Sequence, residues 1–117
     1  MENFNNLENE LKKNIDILEN TFSKFGLELV NVGAQYANMV GGKGIKFFCE
    51  IMSNADMPED EHFHVKINVY DSKGSLISMG EKELNTKDFT GYDTLCIGVF
   101  HETIHYEAAK ARIYLTK

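Results

Sequence analysis

The chain has 117 residues, 43% apolar and 26% charged, with 18 acidic and 12 basic side chains for a net charge of −6. That length supports one domain with a self-sufficient core and excludes two, because each half would approach the size at which a core needs staples. The acidic balance argues against nucleic acid or an anionic membrane as partner, since both require basic patches.

From Phe4 the apolar positions Phe4, Leu7, Leu11, Ile15, Leu18, Phe22 and Phe25 recur every three or four residues. That spacing predicts an amphipathic helix over residues 1–26, ended by Gly26. The helix start, MENFNNLENELKK, lacks the basic and apolar regions of a signal peptide. The longest uncharged stretch, Leu29 to Gly42, is 14 residues, too short for a bilayer helix. A cytoplasmic chain without a membrane span is expected.

After Gly26 the period changes to two, predicting a β domain over residues 27–117. A first strand begins at Leu27 and Leu29, passes Gly33 and ends at the turn Gly41-Gly42-Lys43-Gly44. No Ser or Thr follows Lys43, so the turn is not a phosphate loop. Ile45, Phe47, Cys49 and Ile51 then alternate with Lys46, Phe48, Glu50 and Met52. An acidic loop from Ser53 to Glu61 holds the single proline, Pro58. Phe63, Val65, Ile67 and Val69 form the clearest half-buried strand, followed by the turn Asp71-Ser72-Lys73-Gly74 and a return strand from Leu76 to Lys82. Residues 88–93 read as a loop anchored by Phe89 and Tyr92. Leu95, Ile97 and Val99 mark one further strand, and Ala111, Ile113 and Leu115 the last. The pattern predicts a mainly β protein, an antiparallel immunoglobulin-like β-sandwich with an N-terminal amphipathic helix. Cys49 shares the parity of the buried residues in its strand and Cys96 the opposite parity in its own, so no disulfide between them is expected.

The run from Lys66 to Gly74, KINVYDSKG, resembles the strand and turn of bacterial immunoglobulin-like domains of the FxLYD kind, and Lys110 to Tyr114 resembles their closing strand. The resemblance spans residues 44–117, with Ile67 and Val69 standing where the family has Phe and Leu. It implies a sandwich and an accessory or interaction role.

Three constellations carry candidate chemistry. His101-Glu102-Thr103-Ile104-His105 spells H-E-x-x-H, which on a helix places two imidazoles on one face to hold zinc while Glu102 activates water. Beyond it only Glu107 offers a third ligand. Second, if the loops on either side of the sandwich share an end as in an immunoglobulin domain, Asp60, His62, His101 and His105 converge as a metal or pH-responsive site. Third, parity turns Tyr70, Gly98, Phe100, Arg112 and Tyr114 outward on what would be one face, with His64, Lys66 and Cys96. Aromatics and Arg around a bare glycine suit a protein interface, covered by the N-terminal helix or by a second subunit. The reading is a non-catalytic protein-binding or accessory domain without a cofactor, acting on a protein partner or as a homodimer. Its alternatives are a small zinc-dependent hydrolase and a metal-binding sandwich.

Overall fold

The protein is described from a computed structural model covering residues 11–39, 42–53, 56, 60–102 and 104–117, with only the backbone described for Met39, His105 and Tyr106. In chain order come a helical turn α1 (residues 11–13), β1 (Ile15–Ile17), α2 (Glu19–Ser23), β2 (Leu27–Met39), β3 (Gly42–Ser53), β4 (His62–Tyr70), β5 (Leu76–Asn85), β6 (Tyr92–Phe100), α3 (Ile104–Glu107) and β7 (Lys110–Thr116). The strands form two sheets, A in the order β1-β7-β4-β5 and B in the order β2-β3-β6. The protein is therefore mainly β, as its alternating pattern predicts.

Period-two alternation translates directly into burial. Phe63, Val65, Ile67 and Val69 of β4, Ala111, Ile113 and Leu115 of β7, and Ile45, Phe47, Cys49 and Ile51 of β3 all enter one core. Leu95, Ile97 and Val99 complete it from β6. Each fully buried large side chain contributes about 1.5–3 kcal/mol, so this shared interior holds the sheets face to face. Turn chemistry is equally local. Asp71 Oδ1 accepts the backbone N–H groups of Lys73 and Ser75 at 2.9 Å each, and Gly74 takes a φ of 85° that side chains rarely adopt.

The stripe from Phe4 to Phe25 is not one helix. Phe4 and Leu7 lie outside the described residues. Beyond them the helical turn closes at Asn14, whose N–H bonds the Leu11 carbonyl at 2.9 Å, and Ile15–Ile17 pairs in parallel with β7. The reason is competition: two β-branched isoleucines alternating about Asp16 suit an extended backbone, and the edge of β7 offers them hydrogen bonds. Helix resumes only at α2, where Phe22 is buried and Leu18 is left exposed. Thr21 Oγ1 accepts the Leu115 N–H at 3.0 Å, and Ile17, Phe22, Leu27 and Leu29 line the groove between α2 and β2. This segment thus fastens the edge of sheet A to the start of sheet B.

Strand order also departs from the immunoglobulin arrangement, in which the last two strands lie side by side. Here β6 pairs with β3, while β7 lies between β1 and β4. The connection from β6 crosses the end of the sandwich through α3, where buried Ile104 anchors it.

Opposite α2, the sheets meet where β5 passes β6. The Ser78 hydroxyl donates to the Phe100 carbonyl at 2.6 Å. Gly80 pairs with buried Ile67 and so faces inward; a Cβ there would lie 2.6 Å from the Gly98 carbonyl oxygen and 2.9 Å from a Val99 methyl. Backbone cannot yield that distance cheaply. Gly80→Ala should therefore destabilise the fold by about 1–3 kcal/mol. Gly33→Ala is the control, because its Cβ would meet Phe48 at an ordinary 3.9 Å. Urea melts of the two variants should separate clearly, and equal midpoints would contradict this packing.

Candidate functional site

The predicted metal constellation is not brought together. His62 opens β4 beside Asp60, with Nε2 3.7 Å from Asp60 Oδ1. His101 lies at the other end: its N–H bonds the Lys43 carbonyl at 3.2 Å, and the same connection returns with the Ala109 N–H on the Tyr70 carbonyl at 2.8 Å. The nine residues of β4 separate the two ends by about 26 Å at 3.3 Å per residue. The loops would share an end only under immunoglobulin pairing, which the strand order replaces.

The H-E-x-x-H geometry also differs from its expectation. Among the described residues of this segment, Ile104–Glu107 is helical and His101 and exposed Glu102 are not, and the His101 carbonyl accepts the Ile104 N–H at 3.1 Å. The motif's condition, two histidines one turn apart on a single helix, is not met. The side chain of His105 lies outside the described residues. Among the described residues no group of three or more His, Cys, Asp or Glu is arranged to hold a metal.

The five residues assigned to one interface divide between two faces. Tyr70, Arg112 and Tyr114 stand on the outside of sheet A, where Arg112 Nε lies 3.2 Å from Asp16 Oδ2 and its guanidinium carbon 5.5 Å from the Tyr70 ring centroid. Asn68 Nδ2 donates to the Tyr70 hydroxyl at 3.2 Å, and the Tyr114 hydroxyl donates to Asn68 Oδ1 at 3.5 Å. Farther along, His62 Nδ1 lies 2.6 Å from Glu83 Oε1 and His64 Nδ1 3.2 Å from Glu81 Oε2. Polar groups on this face largely satisfy one another.

Gly98 and Phe100 belong to the outside of sheet B, whose chemistry is different. Register pairs Met52 with Tyr92 and Phe48 with Cys96, with a polar Glu50–Thr94 pair between them. Four large side chains remain open to solvent there: Phe48 at 36%, Met52 at 42%, Tyr92 at 50% and Phe100 at 45%. Gly33 is the cross-strand partner of Phe48, and a Cβ there would lie 3.9 Å from the Phe48 side chain. Tyr92, expected to anchor a loop, instead faces outward, while Phe89 does pack on the core. The missed members, Phe48 and Met52, were marked in the sequence as large apolar residues at the outward parity of an otherwise alternating strand.

Both cysteines are free thiols, Cys49 buried and Cys96 exposed, on opposite faces of the same sheet. Burial, reinforced by the neighbouring Cys96, pushes the Cys49 pKa up to about 12. Among the described residues no helix is long and apolar enough to cross a membrane. In comparisons with known proteins, the chain matches no family model, no curated protein and no solved structure.

Two expectations follow. A thiol reagent at neutral pH should modify Cys96 alone in the native protein, with Cys49 reacting only after denaturation; mass spectrometry of the labelled peptides reads the result, and early Cys49 labelling would contradict its burial. The hydrogen bond that Glu83 accepts from His62 raises the His62 pKa above the ordinary value; desolvation opposes it, and the charges of Glu83, Asp60 and Glu61 add to the rise. A raised folded pKa means the pair stabilises the fold fully below the unfolded value and loses that contribution as pH rises through the folded one. NMR titration should place His62 above a free histidine, and Glu83→Gln should bring it down; an unmoved midpoint would discount the pair.

Proposed function

We propose that this chain is a non-catalytic protein-binding domain whose docking surface is the outer face of sheet B. The observation carrying this reading is the exposure of Phe48, Met52, Tyr92 and Phe100 together on one sheet face. Phenylalanine, tyrosine and methionine are enriched where proteins meet, and a rigid strand holds them at little entropic cost on binding. The interleaved Lys46, Glu50 and Thr94 supply polar contacts that would orient a partner. Gly98, between Cys96 and Phe100, leaves room for the partner's main chain to approach. The outer face of sheet A supports binding less well, because Asp16 already holds Arg112, and Asn68 links Tyr70 to Tyr114.

Affinity capture with the wild-type domain should retain a protein that Phe48→Lys and Tyr92→Lys no longer retain, whereas Lys66→Glu on sheet A keeps it. Titration calorimetry with that purified protein should show at least a tenfold loss of affinity for each face variant, about 1.4 kcal/mol. Undiminished binding by both face variants, with native circular dichroism, would overturn the assignment.

A further inference from the structure

Phe48 sits midway along β3, beside Cys96 of β6, and the register between these two strands runs without a shift. The outward positions on its two sides carry opposite charges, Lys46 two residues before it and Glu50 two residues after. Four residues apart on one extended strand, about 14 Å, the two side chains cannot reach each other within one copy. Among the described residues neither takes part in an ion pair. The charged groups on the outside of sheet A have found partners, whereas this pair flanks an exposed ring and faces outward unmatched.

We infer that the occupant of this face is a second copy of the chain, packed sheet B against sheet B, with β3 lying antiparallel over the partner's β3 about a two-fold axis that passes through Phe48. The inference rests on the reading of the face as a docking surface and names the partner it takes.

Charge complementarity selects both the partner and its orientation. The axis exchanges the two sides of Phe48, so Lys46 of each copy faces the partner's Glu50, and two ion pairs form by symmetry. A parallel arrangement would set lysine against lysine and carboxylate against carboxylate. Sheets packed face to face stand about 10 Å apart and cross at about 30°, which displaces a residue two places from the axis by only 3–4 Å or so, within reach of these two long side chains. Size agrees one step farther out: Met52 falls opposite the partner's Gly44, and Tyr92 opposite the partner's Phe100, ring against ring. The other charge at an outward position of the three strands, Glu28, lies on β2 beyond the register shift between Leu29 and Asn31, at the rim. Lys43 and Asp93 hold the opposite parity. Three strands with the nine residues of β6 offer a footprint of about 30 Å by 14 Å per copy, close to 900 Å² in all, which is the class of weak, reversible complexes.

Charge exchange tests the pairing. Sedimentation equilibrium should show a reversible wild-type dimer with a Kd of about 100 μM. Lys46→Glu and Glu50→Lys should each weaken it at least tenfold with circular dichroism unchanged, and an equimolar mixture of the two should associate as the wild type does, because each variant then faces opposite charges on the other. Glu50→Lys lowers the net negative charge, so its loss of association cannot come from general repulsion. The double variant, Lys46→Glu with Glu50→Lys, restores both pairs and should dimerise like the wild type; it decides the matter should a single variant fail to fold. A dimer indifferent to both reversals, or a mixture no better than its components, would overturn the pairing, and loss of that dimer in Phe48→Lys would still keep the face as a docking surface. A wild-type monomer up to about 1 mM would remove the second copy as occupant, and the docking face would then stand or fall on capture by Phe48→Lys and Tyr92→Lys.

Discussion

The spacing of the two sheets depends on one contact, the passage of Gly80 over the Gly98 carbonyl where β5 meets β6. Sheets packed face to face ordinarily stand about 10 Å apart, filled by side chains from both. At this margin a side-chain-free position lets backbone approach backbone, and the Ser78 hydroxyl closes the seam. The opposite margin is filled differently, by Phe22 of α2 between the edge of β7 and the start of β2. A glycine seam thus closes one margin and a helix the other. The aromatics Phe22 and Phe63 lie among the fully buried side chains, and Phe25 packs on Phe63 with its ring tilted by 56° and 4.9 Å between centroids.

The crossing at β5 and β6 also explains the distribution of ionisable groups. Because β6 belongs to sheet B and β7 to sheet A, the chain must cross the end of the sandwich through residues 101–109. His101 and Glu102 are consumed in that crossing, at the end away from His62. Ile104 is buried there, so the four-residue helix is set by where one side chain must enter the core and not by a tendency to continue through the histidines. A string that spells a zinc motif becomes a zinc site only if the backbone under it is a helix.

Within single strands the sequence was readable to the residue. The alternation in β3, β4, β6 and β7 forecasts which side chains are buried, the opposite facing of Cys49 and Cys96, and the turn at Asp71 to Gly74, because parity and turn chemistry depend on neighbours in the chain. What it did not disclose was non-local. Ile15 suits a helical stripe and a strand equally well, Ile17 only the strand, and the choice rests on β7, about 95 residues away. Sheet membership is the same kind of question: the parity of Phe100 and Tyr114 says that each points outward, but not that they leave opposite sides of the molecule. One local cue was passed over. Phe48 and Met52 break the polar side of their strand, and Tyr92 across from Met52 completes the pattern.

The two outer faces show how the same composition serves two ends. Sheet A spends its charges on itself, with Arg112 against Asp16, His62 against Glu83, His64 against Glu81, and Lys117 against Glu61 at 3.2 Å. Exposed pairs of this kind add little stability, because water screens them. They do leave the face with balanced charge and few unmatched donors, a poor invitation to a partner. Sheet B has no comparable set of pairs on its outside among the described residues and places rings and a thioether there instead. Asp56, Asp60, Glu61 and Asp88 gather beyond the strands at the end where β2 begins, with Lys24, Lys87 and Lys117 at the same end. The net charge of −6 is spread along the chain and adds a general repulsion between copies that contact at the apolar face must exceed.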